Sequence, residues 1–167
     1  MSTYKKERKW KRFFEVRRAI VVLAILLLID TFFDILRGTQ GNPLFKPIEN
    51  AFGVWAFPFL VPPVVALLYF LSIGIGKIVE KADKITNGKE IILTTLVVIF
   101  VIHDIWVFSL DYLGFRLIKS YLHMIPIYII AGIAYSWWAE KSVKIIQSKS
   151  GLLKKNNNSK YATKLKR

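Results

Sequence analysis

Four long apolar stretches constrain this chain more than any other feature of its sequence. Each is long enough to cross about 30 Å of bilayer hydrocarbon as a helix rising roughly 1.5 Å per residue. Hydrophobic residues make up 54% of the 167 residues, yet the formal net charge is +14. Because the charges are concentrated between the apolar stretches, the pattern is typical of a polytopic membrane protein rather than of a soluble or disordered chain. We predict an all-α fold with four transmembrane helices, over residues 16–36, 55–76, 91–110 and 121–139.

Lysine and arginine are distributed unequally over the termini and loops. Twenty-one of the 25 lie in residues 1–18, in the loop 77–90 or after residue 140, against four in the other two loops. Because basic segments stay on the cytoplasmic side of a membrane, both termini are predicted to be cytoplasmic. The chain then consists of a basic interfacial arm (1–15), a four-helix transmembrane domain (16–140) and a basic cytoplasmic tail (141–167), and we expect it in the cell membrane as a multi-pass protein.

The amino-terminal arm interleaves basic and aromatic residues. This pattern suits a helix that lies on a surface of anionic lipid, and the membrane helix that follows directly argues against nucleic acid as a partner. We therefore predict lipid contacts for this set of residues: Lys5, Lys6, Arg8, Lys9, Trp10, Lys11, Arg12, Arg17 and Arg18.

The sequence also excludes several classes of site. It contains no cysteine, which rules out disulfides, zinc–thiolate sites, iron–sulfur clusters and thiol catalysis. It has no phosphate-binding glycine loop, nucleophile elbow or HExxH motif. We therefore predict no catalytic residues of the kinds found in soluble enzymes. The sequence requires no cofactor, although a metal ion would suit the polar residues described next.

Charged residues inside the first and third predicted spans are the strongest functional signal. A charged side chain near the centre of a membrane helix costs roughly 2.5–3.5 kcal/mol on insertion scales, so such residues are functional candidates. Asp30 lies thirteen residues after Arg17, and His103 lies fourteen after Lys89. Because both helices run in the same direction, Asp30 and His103 are expected at similar depth, in the outer half of the bilayer.

Two interpretations fit these polar residues. In the first, they bind a metal ion or relay protons, and the candidate ligands are Asp30, Asp34, His103, Asp104 and His123. In the second, they are polar contacts between helices. The second interpretation is stronger for Asp34, which lies only about 5 Å from Arg37 along the same helix face. Asp30 and Asp104 lie deeper and are harder to explain in this way.

Three further patterns concern the connections and helix faces. Gly38, Gly41, Asn42-Pro43 and Pro47 predict that the first loop forms an ordered turn followed by a short segment on the outer surface. Pro62-Pro63 is expected to interrupt the hydrogen bonds of the second helix, as a kink that shapes a cavity beside the carboxylates or as a simple bend near a helix end. Tyrosines recur every seven residues on the fourth helix and predict a seam facing the bundle or a partner: Tyr121, Tyr128 and Tyr135.

The first hairpin resembles a known family. Leu28-Ile29-Asp30, Gly41-Asn42-Pro43-Leu44 and the segment 52–57 (FGVWAF) are similar to a family of small archaeal and bacterial integral membrane proteins of unknown function. The resemblance covers residues 21–66. Two positions depart from the family pattern: Asp34 replaces the usual threonine, and Gln40 replaces a frequent glutamate. The resemblance implies a four-helix membrane domain and no particular activity.

Two functions are expected from these observations. The first is a non-catalytic accessory subunit of a larger membrane enzyme complex, of respiratory or monooxygenase type, with other integral membrane subunits and anionic lipids as partners. The second is an independent membrane protein with a metal-binding or proton-relay site. The direction of the buried carboxylates distinguishes the two: convergence inside the bundle favours a site, and exposure toward a neighbour favours assembly.

Overall fold

The fold is all-α in the part of the chain that the structure, a computed structural model, describes. That part comprises residues 15–42, 45–83, 85, 87–115, 118 and 120–164, with side chains as far as residue 148. The helices are α1 (Val16–Arg37), α2 (Lys46–Phe52), α3 (Phe57–Asp83), α4 (Gly88–Asp111) and α5 (Tyr121–Lys164), and a short 3-10 turn over Val54–Ala56 precedes α3.

Four helical segments are long and apolar enough to cross a membrane: Val16–Arg37, Val54–Asp83, Gly88–Asp111 and Tyr121–Ser148. The four predicted spans are thus confirmed, and the helices extend beyond the predicted ends. The extensions contain lysine, glutamate and isoleucine, of which lysine and glutamate favour helix almost as well as leucine. Charged residues therefore end the apolar stretch without ending the helix.

The outward faces of the spans are apolar. Only 17–33% of the residues in the apolar window of each span are buried inside the protein, and large side chains such as Phe59, Phe70 and Leu122 are mostly exposed. A soluble protein of this size does not leave so much contiguous apolar surface in water. The chain is therefore a multi-pass membrane protein, whose outward side chains suit lipid or another membrane protein.

Helix α4 is the centre of the bundle. It packs against α1, α3 and α5, whereas α5 packs mainly against α4. Two apolar clusters fill the contacts of α4 with α5: Ile85, Ile91, Ala139 and Val143 at one end, and Trp106, Val107 and Met124 at the other. Side chains of α4 can consequently meet residues from both α1 and α5.

The hairpin between α3 and α4 depends on two glycines in backbone contact. A Cβ atom added to Gly76 would lie 2.5 Å from the Lys89 backbone nitrogen, and one added to Gly88 would lie 2.4 Å from the Gly76 carbonyl oxygen. Glu80 accepts a hydrogen bond of 2.7 Å from the Gly88 N–H. This contact holds the start of α4 against α3 and so fixes the depth at which the residues of α4 lie.

The loop between α1 and α2 is ordered by polar contacts. Gly38 ends α1 in the left-handed conformation, with φ of 69°, which favours glycine. Glu49 of α2 then accepts hydrogen bonds from the Thr39 hydroxyl at 3.0 Å, the Gln40 backbone N–H at 2.9 Å and the Lys46 ammonium at 2.8 Å. The described part of the predicted turn is therefore held by polar contacts, Pro43 lies outside the described residues, and the predicted short segment is a helix of seven residues.

Helix α3 continues through its prolines. Pro62 and Pro63 lie inside α3, and the helix does not end at them. Because proline has no N–H, the helical hydrogen bonds to the Pro58 and Phe59 carbonyls cannot form, so the hydrogen bonds are interrupted as the sequence predicted while the helix itself continues. The groove beside them, about 460 Å³, is lined by apolar side chains of α1 and α3 such as Ala24, Leu28 and Val61. It is not beside the carboxylates.

Candidate metal site

Helix α4 contributes two adjacent polar side chains to the interior of the bundle. Asp104 is buried, with 8% of its surface exposed, and the His103 side chain is 14% exposed. The apolar residues of α4 on either side make the helix insert as a span, and its contacts with both α1 and α5 enclose these two positions. Two ionisable groups are thereby held in surroundings that are otherwise apolar.

His103 has a fixed orientation. Its Nδ1 lies 2.8 Å from the Tyr128 hydroxyl of α5, and its Nε2 lies 3.4 Å from Asp30 Oδ1 of α1. The rings of Trp106 and Tyr121 stand beside the imidazole, with centroids 5.9 and 5.6 Å away. The imidazole thus bridges three helices, with one nitrogen hydrogen-bonded and the other facing a carboxylate.

Asp30, His103 and Asp104 form a cluster with the spacing of a metal site. One potential ligand atom from each residue can be chosen so that all three lie within 4.8 Å of one another. We call this group the Asp–His–Asp cluster. It contains three of the five ligands predicted from the sequence, and it brings them together from helices that are far apart in the chain.

The carboxylates of the cluster have unpaired oxygens. Asp104 Oδ1 and Oδ2 and Asp30 Oδ1 are all buried without a hydrogen-bond partner among the described residues. A buried polar atom without a partner costs several kcal/mol in surroundings that cannot hydrogen-bond, and native proteins contain few of them. These oxygens and the His103 imidazole are the groups in this part of the bundle that could ligate a metal ion.

Asp34 lies outside this cluster, although the sequence placed it among the candidate ligands. It is 1% exposed and forms an ion pair with Arg37, and Gln40 donates a hydrogen bond of 2.5 Å to its second oxygen. Arg37 also pairs with Asp111 of α4 at 3.2 Å. We call these four residues the Arg37 network. Both oxygens of Asp34 are engaged within it, as the helix-contact interpretation expected.

His123 also lies outside the cluster. It is exposed near the start of α5, and its backbone N–H bonds the Ser120 carbonyl. The His103 ring is instead approached by Tyr121 and Tyr128 from the same helix, because residues seven apart share a face. His123 projects from another face, two residues from Tyr121.

The residues predicted to bind lipid are described only in part. Arg17 and Arg18 begin α1 and are exposed, and Arg18 pairs with Glu15 at 3.1 Å. The other members of that set lie outside the described residues: Lys5, Lys6, Arg8, Lys9, Trp10, Lys11 and Arg12. Two exposed guanidinium groups at a helix start would be able to reach lipid headgroups.

Sequence reasoning missed the role of Tyr128. The seven-residue spacing of the tyrosines correctly indicated a seam, since Tyr121 and Tyr128 both pack against α4. It did not indicate that Tyr128 would meet the histidine. Tyr128 and His103 are 25 residues apart, and only the way in which α4 and α5 pack decides which residues of the two helices meet.

No protein family, curated protein or solved structure matches this chain. The structure therefore shows a fold of four long apolar helices, without a matching family. The function has to be argued from the site itself.

Proposed function

We propose that this multi-pass membrane protein binds a metal cation at the Asp–His–Asp cluster. The observation that carries the proposal is that neither buried oxygen of Asp104 has a hydrogen-bond partner among the described residues, while Asp104, Asp30 and His103 each offer a ligand atom within 4.8 Å of the others. Carboxylate oxygens and imidazole nitrogens are both common ligands of divalent metals. The carboxylates converge inside the bundle, which is the arrangement that favours a site over an assembly contact.

Charge supports a cation at this position. When both are ionised, two neighbouring carboxylates carry a charge of −2 in a region of low dielectric, where their repulsion is much larger than in water. Arg37 pairs with Asp34 and Asp111 through its two terminal nitrogens, and its Nε has no hydrogen-bond partner among the described residues. A divalent ion would neutralise Asp30 and Asp104 together and give their unpaired oxygens a partner.

Structural pairing explains the cluster less well. If Asp104 served only as a contact between helices, its carboxylate should meet a donor on a neighbouring helix, as polar groups in membrane bundles do. Asp34, by comparison, has two donors, Arg37 in its own helix and Gln40 in the loop that follows. Neither oxygen of Asp104 meets any among the described residues.

The test is the metal content of the full-length protein purified in a mild detergent. The wild type, incubated with divalent metals and freed of excess, is expected to retain one ion per chain. Asp104→Asn should reduce its metal affinity at least 10-fold without loss of folding. Asp111→Asn, an identical change seven residues along the same helix, should retain the ion.

Two results would contradict the proposal. One is a wild-type protein that retains no ion under any of these conditions. That result would agree with a cluster that binds protons and no metal ion. The other is equal loss of metal in Asp104→Asn and Asp111→Asn, because the effect would then not be specific to the cluster.

An accessory role in a larger assembly is the second candidate function, and the packing of α5 favours it. This helix packs mainly against α4, so one side of it is exposed, including Leu122, Ile130, Ile133 and Trp137. We propose that this side can contact other integral membrane subunits of an enzyme complex, while the basic arm contacts anionic lipid. The proposal does not conflict with a metal site, since the two surfaces are separate.

The mass of the native particle tests the accessory role. After extraction from its own membrane in mild detergent, the protein should migrate with larger, unrelated membrane subunits if it belongs to a complex. A monomer or small homo-oligomer would contradict that role. The resemblance of the first hairpin to a family of small archaeal and bacterial membrane proteins is also a proposal, and it favours neither function, because it implies no particular activity.

A further inference from the structure

We infer that the ion at the Asp–His–Asp cluster is a transition metal of the zinc class, bound by His103 through Nε2, and that Tyr128 positions His103 for it. This inference rests on the proposed function and names its ligand. It concerns a residue, Tyr128, that contributes no atom to the cluster itself.

The donor set selects the class of metal. Magnesium and calcium are hard ions that prefer oxygen ligands, and magnesium keeps most of its water. Imidazole favours zinc and its first-row neighbours, and two carboxylates complete a set of three protein ligands with one position left for water or another ligand. A neutral imidazole adds no charge, so the two carboxylates of Asp30 and Asp104 together balance the charge of a divalent ion.

The distance between His103 and Asp30 fits a shared metal better than a direct hydrogen bond. The separation of 3.4 Å exceeds the usual range for an N–H···O bond, about 2.7–3.2 Å. Two ligands of a tetrahedral zinc ion, with bonds of about 2.0–2.1 Å, lie roughly 3.3–3.4 Å apart. The longer separations in the cluster, up to 4.8 Å, would shorten by side-chain rotation as the ion binds.

Tyr128 holds Nδ1, the imidazole nitrogen of His103 that does not face Asp30. Its hydroxyl lies 2.8 Å from Nδ1, so a proton on Nδ1 can be donated to the phenol oxygen. When a metal ion binds the lone pair of Nε2, the nitrogen that faces Asp30, the proton of the imidazole lies on Nδ1 and the phenol oxygen accepts its hydrogen bond. Metal-binding histidines commonly hold their second nitrogen in this way, and loss of the outer partner typically weakens metal binding 10–100-fold.

Aromatic rings hold the imidazole in that orientation. Trp106 is fixed by a hydrogen bond of 2.9 Å from its indole N–H to the Ile118 carbonyl, and it meets Tyr121 edge to face at 4.9 Å. Both rings flank His103. They limit rotation of the imidazole and keep water away from it, which strengthens the dependence of His103 on Tyr128.

The experiment is a zinc titration of the full-length protein in detergent, in competition with a chelating dye. We expect one zinc ion per chain, and millimolar Mg²⁺ or Ca²⁺ should not displace it. Tyr128→Phe should weaken zinc binding 10–100-fold. Tyr135→Phe is the matched control: it removes a phenol one heptad further along the same helix, outside the cluster, and should bind zinc as the wild type does.

Two additional readouts separate positioning from stability. The thermal midpoint of the metal-free protein should be the same for Tyr128→Phe and Tyr135→Phe. The visible absorption spectrum of bound Co²⁺ should change in Tyr128→Phe only, because that spectrum reports the ligands and geometry around the metal rather than the stability of the fold.

The outcomes distinguish this inference from the proposed function. If the wild type binds no metal ion at all, both fail. If an ion binds but Mg²⁺ or Ca²⁺ displaces zinc, the site stands and the inferred metal class is wrong. If Tyr128→Phe matches the wild type in zinc affinity and in its Co²⁺ spectrum, the positioning role of Tyr128 is wrong.

Discussion

Asp34 and Asp104 are both buried carboxylates in membrane helices, yet their surroundings differ completely. Asp34 is 1% exposed and has Arg37 and Gln40 as partners. Asp104 is 8% exposed and has none among the described residues. The carboxylate of Asp34 is stabilised by other groups of the protein, and we propose that the carboxylate of Asp104 is stabilised by a metal ion. This contrast, rather than the presence of acidic residues as such, distinguishes a structural network from a candidate site.

The Arg37 network should contribute strongly to stability. Arg37→Gln leaves Asp34 buried without its cation, which typically costs about 3–5 kcal/mol. We expect a loss of that order in the free energy of unfolding, measured by reversible denaturation in mixed detergent micelles. Arg18→Gln is the control, because it breaks an exposed pair with Glu15 and should cost less than about 1 kcal/mol. Similar losses in the two variants would contradict this account of the network.

The sequence predicted these residues only in part. The cost of charge in a membrane helix identified Asp30, Asp34, His103 and Asp104 as candidates, and the i, i+3 spacing anticipated the pair between Asp34 and Arg37. Which of the remaining residues would meet could not be predicted, because it depends on how α1, α4 and α5 rotate against one another. His123 and Tyr128 lie five residues apart and point about 140° away from each other around α5, and the apolar pattern of the helix does not show which of the two faces α4.

At the scale of elements, the spans were predictable because length and hydropathy are local properties of the chain. The ends of the helices were less predictable, because helices continue into charged residues after the apolar stretch has ended. The contact between α3 and α4 is a feature that the sequence does not predict. Gly74 and Gly76 look equivalent in the sequence, yet only Gly76 lies against the backbone of the next helix.

Alanine substitutions at these two glycines should have opposite effects. Gly76→Ala places a methyl group 2.5 Å from the Lys89 nitrogen and should destabilise the protein by about 1–3 kcal/mol, as overpacking does. Gly74→Ala meets nothing within 4 Å and should be neutral or stabilising by up to about 1 kcal/mol, because alanine favours helix. Thermal unfolding in one detergent would compare them, and equal effects would mean that the close contact is not formed.

The contacts of α2 predict a dependence on pH. The hydrogen bond from Lys46 is the main reason why the pKa of Glu49 lies below its ordinary value of 4.5. A carboxylate with a lowered pKa in the folded state stabilises the fold above its unfolded pKa, and the contribution is lost as the pH falls through the folded value. The thermal midpoint of the wild type should therefore exceed that of Glu49→Gln above pH 4.5, with the gap closing at lower pH.

A substitution without a titrating group is the control for this pH dependence. Asn50→Gln changes the exposed neighbour of Glu49 and should differ from the wild type by the same small amount at every pH. A gap for Glu49→Gln that stays constant as the pH is lowered well below 4.5 would show that the ionised Glu49 does not support the loop.

At the scale of the whole molecule, the even number of spans predicts that both ends of the chain lie on one side of the membrane, and the distribution of basic residues predicts that this side is cytoplasmic. The chain has no cysteine, so single-cysteine variants report accessibility without background. Asn50→Cys, in α2, should react with an impermeant thiol reagent in intact cells, whereas Asp83→Cys, at the end of α3, should react only after permeabilisation. The reverse pattern would overturn the orientation.

The central claim is that the Asp–His–Asp cluster binds a metal ion inside this bundle. The most direct test is X-ray absorption at the zinc edge of the zinc-loaded, full-length protein. We predict a first shell of nitrogen and oxygen at about 2.0–2.2 Å, including one imidazole, and loss of the imidazole contribution in His103→Ala. Zinc surrounded by water alone, or a spectrum unchanged in His103→Ala, would contradict the claim.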